Sequence, residues 1–320
     1  MKISLVTLCL SIFLSPLFAK DIVQIYREGG IDKVEKIIQQ QLTQKSYWRD
    51  YLESVDVSNG YYESIKYLVL CQKDKKDMAL FDTKTKEKLF ESSVFTGENN
   101  GDKQIEGDLK TPVGAYKLTQ RLTNVDPFYG PLALTTNYPN MYDKAKGKTG
   151  HGIWIHGVPS DEKRDQYTKG CIALDNRNIK QLDKKINIDN SVLIISEKKF
   201  KSVSKDDLAV VLSSIFKWRD AWRYSDIDRY ISFYDDKFVK SNGYDKKKFT
   251  RYKTRLFKRK GKKTIKFTNI NVIPYPNTEN KKLFKVYMDE LYRSSTYKFV
   301  GKKELYLEVK NGTISILTES

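Results

Sequence analysis

Only two histidines, three cysteines and four methionines occur among the 320 residues, and each shortage removes a class of function. Zinc sites take three or four His, Cys or carboxylate ligands. The two histidines, His151 and His156, stand five apart on a segment that reads as a strand, where they point to opposite faces. No metal site is therefore expected. Three cysteines are too few for a disulfide framework, and setting Cys9 aside with an N-terminal leader leaves only Cys71 and Cys171. Beyond the N-terminus no apolar run approaches the roughly 20 residues that a membrane-spanning helix needs. Acidic side chains are also scarce: 40 Asp and Glu against 58 Lys and Arg leave a formal net charge of +18.

What is present argues for a folded, exported chain. Hydrophobic residues make up 39% and aromatics 12%, enough apolar surface to offset the entropy of ordering. The length suits two domains and a small extra element. Residues 1–19 carry one Lys, an apolar run from Ile3 to Leu14, Pro16 and a small residue at Ala19, which reads as a signal peptide and places the rest in the periplasm. Export makes nucleic acid an unexpected partner despite the charge. The same electrostatics would concentrate the protein near wall carboxylates and anionic membranes.

Residues 20–62 place Ile22, Ile25, Val34, Ile37, Ile38 and Leu42 at helical spacing, interrupted by Gly29–Gly30. So short a helical element cannot bury its own apolar stripe, so it should pack on the next domain or on a second copy, making a homodimer. Residues 63–200 turn to short β-rich runs: Ile65–Gln72, Met78–Asp82, Leu89–Thr96, Gly114–Thr119, Gly152–Gly157 and Val192–Ser196. They suggest a mainly antiparallel sheet or sandwich, with a short helix over Asp175–Ile186. After a polar linker, residues 205–320 read as two helices followed by strand-like runs around Ile265–Ile273, Lys282–Leu291, Tyr297–Lys303 and Leu305–Leu317, an α+β domain.

Both histidines and Cys171 fall within residues 150–174. A buried cysteine or a core histidine is unremarkable alone. Gly157 directly after His156 and Gly170 directly before Cys171 let backbone approach a ligand closely. A thiol of ordinary pKa about 8.5 needs a neighbouring base to act as a nucleophile, and His156 is the candidate. Asp161 is the first carboxylate after it, so its second ring nitrogen needs that residue or a backbone carbonyl as acceptor. Cys71, in an apolar run, reads as a core residue rather than a disulfide partner of Cys171.

The strand ending in His156-Gly157, then Thr168-Lys169-Gly170-Cys171-Ile172, resembles the signature of the L,D-transpeptidases with a YkuD-type catalytic domain. A second element, Gly107-Asp108-Leu109-Lys110-Thr111-Pro112-Val113-Gly114-Ala115-Tyr116, matches another family motif in the right order. The resemblance implies a β-sandwich with Cys171 as nucleophile, His156 as base and the Gly157 carbonyl orienting it. It implies no cofactor. Amides around Gly170 and Cys171 would face the oxyanion, and Thr168, Lys169, Trp154 and His151 would line the substrate cleft. Lys169 and Ala173 depart from the commoner pattern, which puts substrate preference in question. The implied substrate is the peptidoglycan tetrapeptide stem. The acyl-enzyme then meets water, giving a tripeptide, or an amine, giving a crosslink; the motifs do not choose.

In the last domain, Trp218, Ala221, Trp222, Asp226, Tyr230, Phe233 and Tyr234 followed by strands resemble the nuclear transport factor 2-like cone, which often holds a pocket; its ligand here stays open. A YkuD-type domain followed by such a cone resembles the cell-shape-determining L,D-carboxypeptidases of helical Gram-negative bacteria, so hydrolysis ranks above crosslinking. The basic run Lys246–Lys266, with Phe249, Tyr252 and Phe257 interleaved, reads either as a solvated face or as a grip on wall carboxylates.

Overall fold

The computed structural model describes residues 16–159, 166–259 and 261–320. The leader up to Ser15, with Cys9, and the candidate acceptor Asp161 lie outside the described residues. The chain opens on α1 (Pro16–Leu42), whose direction breaks at Gly30 (φ 65°), and α2 (Lys45–Tyr51). A run of short elements follows: β1 (Tyr61–Tyr62), β2 (Tyr67–Gln72), β3 (Asp77–Asp82), β4 (Lys88–Ser93), β5 (Gly114–Tyr116), β6 (Leu118–Leu122) and β7 (Ala133–Thr136). Then come α3 (Met141–Ala145), β8 (Trp154–His156), β9 (Ile172–Ala173), α4 (Asn176–Lys185) and β10 (Ser191–Ser196). The C-terminal part holds α5 (Lys205–Arg223), α6 (Ile227–Ile231), α7 (Lys246–Phe257), β11 (Thr264–Pro274), β12 (Leu283–Arg293), β13 (Lys298–Lys310) and β14 (Thr313–Glu319).

Two sheets make a sandwich, ordered β4-β3-β2-β10-β5 and β6-β7-β8-β9. Val69, Cys71, Leu80, Leu193 and Ile195 of the first meet Leu118, Leu134, Ile155 and Ile172 of the second in one buried core. The expected run Gly114–Thr119 is divided between the sheets, β5 in one and β6 in the other. Pairing is mainly antiparallel, with two parallel exceptions, β2 with β10 and β8 with β9. All six residues of β10 are buried, because its second face, with Val192 and Ile194, packs on Ile273, Tyr275 and Leu283 of the C-terminal sheet. Strands covered on both faces read as continuous apolar runs, which explains Val192–Ile195.

The cone is a single sheet, β1-β11-β12-β13-β14, wrapped on α5. Its aromatic stripe is packed core: Trp218 and Tyr230 are fully buried, and Trp218 Nε1 donates to Tyr234 Oη at 3.0 Å. The last two strands differ from expectation. The chain runs through residue 304 without a break and turns instead at Asn311–Gly312, both at positive φ, the dipeptide that a tight hairpin favours. The basic run is α7 and the start of β11. Lys247, Lys248, Arg251 and Arg255 are exposed, while Lys253 is buried among Trp222, Tyr230 and Phe249, where burial pushes its ammonium pKa down to about 8.

The described part of the N-terminal element packs mainly on the C-terminal domain. Trp48 of α2 stacks on Phe216 of α5 at 5.6 Å, Arg223 bonds Glu35 at 2.7 Å, and β1 adds an edge strand to β11. Residues near the start of the chain thus complete the cone's core, because the apolar surface available to Trp48, Leu52 and Val57 lies on α5.

Candidate active site

Strand register builds the site. Ile155 and His156 of β8 lie opposite Ile172 and Ala173 of β9 in a parallel pairing. Side chains alternate along each strand, so Ile155 and Ile172 enter the sandwich core while His156, Trp154, Ala173 and, directly before β9, Cys171 belong to the opposite face. His156 is 1% exposed. Its Nδ1 lies 2.6 Å from the Gly157 carbonyl. A carbonyl only accepts, so Nδ1 carries the proton and Nε2 keeps its lone pair as the basic nitrogen. The backbone carbonyl thereby supplies the orientation for which Asp161 was the other candidate.

Cys171 is partly exposed, with Sγ donating to the Gly152 carbonyl at 3.3 Å. Thr168 shapes the turn before it: its Oγ1 donates to the Cys171 carbonyl at 2.7 Å and accepts the Gly170 N–H at 3.0 Å. Thr168 is thus a buried residue of the turn, whereas the expectation set it in the cleft wall, and the Gly170 N–H expected to face an oxyanion bonds the Thr168 hydroxyl here. Lys169 is exposed on the turn. His151 sits on the surface with Nδ1 3.6 Å from Glu106. Cys71 is buried in the sandwich and forms no disulfide with Cys171; burial pushes its thiol pKa up to about 12.

The second motif is the support under the nucleophile. A Cβ on Gly170 would lie 2.8 Å from the Lys110 carbonyl, so the motif backbone presses directly on the residue before Cys171. Thr111, fully buried, accepts the Gly97 N–H at 2.8 Å. Lys73 bonds the Thr111 carbonyl at 3.0 Å, the Gly101 carbonyl, and the Glu197 carboxylate at 2.6 Å. Partial burial of Asp108 works against its charged form. Lys103 and the N–H groups of Gln104, Lys110 and Ile105 outweigh that and hold its pKa at about 2. A carboxylate depressed below its unfolded value of about 3.9 stabilises the fold above that pH and loses the contribution as pH falls toward the folded value. Thermal melts should therefore show wild type more stable than Asp108→Asn by a constant margin above about pH 4, narrowing toward pH 2. A margin unchanged down to pH 2 would contradict this role.

Two site residues carry no sequence signal that the motifs reveal. Tyr129 follows Asp126-Pro127 in a single helical turn capped by Asp126. Its ring packs on Trp154 at 4.9 Å and edge-on to His156 at 5.1 Å. Burial, then the nearby charges of Cys171 and Asp126, raise its phenol pKa. Asn176, the first residue of α4, bonds both backbone groups of Val158. A cavity of about 620 Å³ lies apart from this chemistry, in the crease between the domains, lined by Lys198, Lys199, Lys201, Lys281 and Lys282 over Tyr275.

Comparison with known proteins gives two domain matches: the L,D-transpeptidase catalytic domain (YkuD) over residues 66–194 and the Cds6 C-terminal NTF2-like domain over residues 210–320. The structure of the helical cell shape determining protein Pgp2 from Campylobacter jejuni is 39% identical, with TM-score 0.81 over 87% of this chain and 99% of that one. Bd1075 of Bdellovibrio bacteriovorus is 27% identical, with TM-score 0.66 over 83% of this chain and 96% of that one. YafK, a candidate L,D-transpeptidase of Escherichia coli strain K12, is 34% identical over 82 residues, 26% of this chain and 30% of its own length. The chain thus matches under a third of that relative.

Proposed function

Because the chain belongs to the family of Pgp2, an L,D-transpeptidase catalytic domain joined to an NTF2-like domain, we propose that it is a peptidoglycan L,D-carboxypeptidase that trims tetrapeptide stems to tripeptides and so affects cell shape. The observation that carries the catalytic reading is the 2.6 Å contact of His156 Nδ1 with the Gly157 carbonyl, which leaves Nε2 basic on the face that Cys171 shares.

In this reading Nε2 takes the Cys171 proton, and the thiolate attacks the carbonyl of the third stem residue, diaminopimelate. A C–S bond forms, the C–N bond to D-Ala breaks, and the imidazolium returns its proton to the leaving amine. Water, deprotonated by the same nitrogen, then attacks the thioester, releasing the tripeptide and restoring the thiol. Trp154 and Tyr129 wall one side. Lys169, exposed two residues before Cys171, meets the terminal D-Ala carboxylate in this reading. The test of hydrolysis against crosslinking is product analysis with a second, acceptor stem in excess. Tripeptide as the main product supports the proposal, and crosslinked dimer would make the enzyme a transpeptidase.

The wall substrate requires work outside the cytoplasm, which agrees with an exported chain. Val23, Tyr26 and Ile31 of α1 are each more than half exposed, apolar surface that supports a homodimer through the N-terminal element. Sedimentation at the dimer mass would support that, and monomer at all concentrations would exclude it.

A further inference from the structure

The base is held by Gly157, and the question left is what holds Gly157. We infer that Asn176 is a positioning residue for the catalytic histidine, aiming the Gly157 carbonyl at His156 through the peptide unit the two residues share with Val158. This deepens the carboxypeptidase reading and rests on it.

The argument is geometric. The Gly157 carbonyl and the Val158 N–H belong to one planar trans peptide, so they point in opposite directions. Asn176 Oδ1 accepts that N–H at 2.9 Å, and its Nδ2 donates to the Val158 carbonyl at 2.8 Å, closing a two-bond ring on one residue. Fixing the N–H toward Asn176 turns the carbonyl the other way, onto His156 Nδ1. The neighbouring peptide units are held too: the His156 carbonyl accepts the Leu174 N–H at 2.9 Å.

The surroundings are shaped around the amide. A Cβ on Gly157 would sit 2.4 Å from Asn176 Oδ1, and one on Gly130, at φ 70°, would sit 2.5 Å from the same atom. Both positions therefore stay glycine so that the side chain can reach the backbone. Asn176 itself stands on a rigid base. It starts α4 immediately after β9, and Ile179 and Leu182 of the same helix are fully buried in the sandwich core. A two-residue link thus joins the strand that follows Cys171 to the helix whose amide sets the base.

The test uses the full chain with Asn176→Ala and Asn176→Asp, the latter keeping an acceptor for Val158 N–H. Asn176→Ala is expected to lower kcat by about 10- to 100-fold, the scale of a small misplacement of a catalytic group, with KM nearly unchanged; Asn176→Asp should recover most of the loss. A second readout needs no peptidoglycan: the pH dependence of Cys171 alkylation by iodoacetamide, followed by peptide mass spectrometry. The midpoint should rise in Asn176→Ala, whose histidine no longer pairs firmly with the thiol, and stay at the wild-type value in Asn176→Asp. A folded Asn176→Ala with wild-type kcat and alkylation profile would overturn the inference while leaving the carboxypeptidase reading intact. A shifted profile in a protein whose wild type hydrolyses no stem peptide would do the reverse. Should the alanine variant not fold, a shifted profile in folded Asn176→Asp overturns the inference and an unshifted one supports it.

Discussion

Replacing His156 with glutamine is expected to lower kcat/KM for tetrapeptide trimming by about 100- to 10,000-fold, the range that a positioned general acid–base supplies. Glutamine fills a similar volume, so the sandwich should fold with an unchanged circular dichroism spectrum. What it lacks is a nitrogen that cycles a proton at neutral pH. Both steps suffer, because the same Nε2 must protonate the departing amine and then deprotonate water. A loss of less than about threefold would mean that another group does this work and would remove His156 from the mechanism.

The second large effect is on stability. Lys73→Met should destabilise the fold by about 3 kcal/mol, the lower end of the cost of breaking a buried ion pair by removing one partner. The lower end applies because the Glu197 side chain is 24% exposed while that of Lys73 is 3% exposed, so water relieves part of the stranded charge. Two backbone carbonyls, Gly101 and Thr111, also lose their donor. In a domain of this size the change amounts to a drop of about 10 °C in Tm. Adding Glu197→Gln should restore part of it by removing the unpaired carboxylate. A melting point within about 2 °C of wild type would show that the loop under Gly170 does not depend on this lysine.

The proposed pair of His156 and Cys171 was legible in sequence because its signal is local. His156 and Cys171 each sit beside a glycine, and neighbouring short strands bring the two segments together. The supporting shell was not legible, for a physical reason. Tyr129 reaches His156 from a turn after β6, and Asn176 reaches Val158 from a helix end; only tertiary packing makes either adjacent, and neither belongs to a periodic pattern. The docking site of the N-terminal element was not legible for the same reason. Its apolar stripe announced that it must pack on something, but two residues of β1 pairing with Val272 and Asn271 of β11, some 210 positions away in sequence, leave no mark in composition. Thr168 shows the converse limit: the motif singles it out, yet its hydroxyl is engaged with the backbone of its own turn.

The fold also accounts for the joining of two motifs that the chain keeps about 60 residues apart. The Gly107–Tyr116 segment contributes no reacting group. It supplies the backbone surface against which Gly170 is pressed, and Asp108, Thr111 and Lys73 hold that surface in place. The position of Cys171 thus depends on a buried ionic loop, and that of His156 on a backbone carbonyl.

The most direct measurement incubates the wild-type protein and its Cys171→Ala variant with disaccharide tetrapeptide and identifies the products by mass. The account predicts tripeptide and free D-Ala from the wild type and unchanged tetrapeptide from the variant; tripeptide formed equally by both, or by neither, would contradict it.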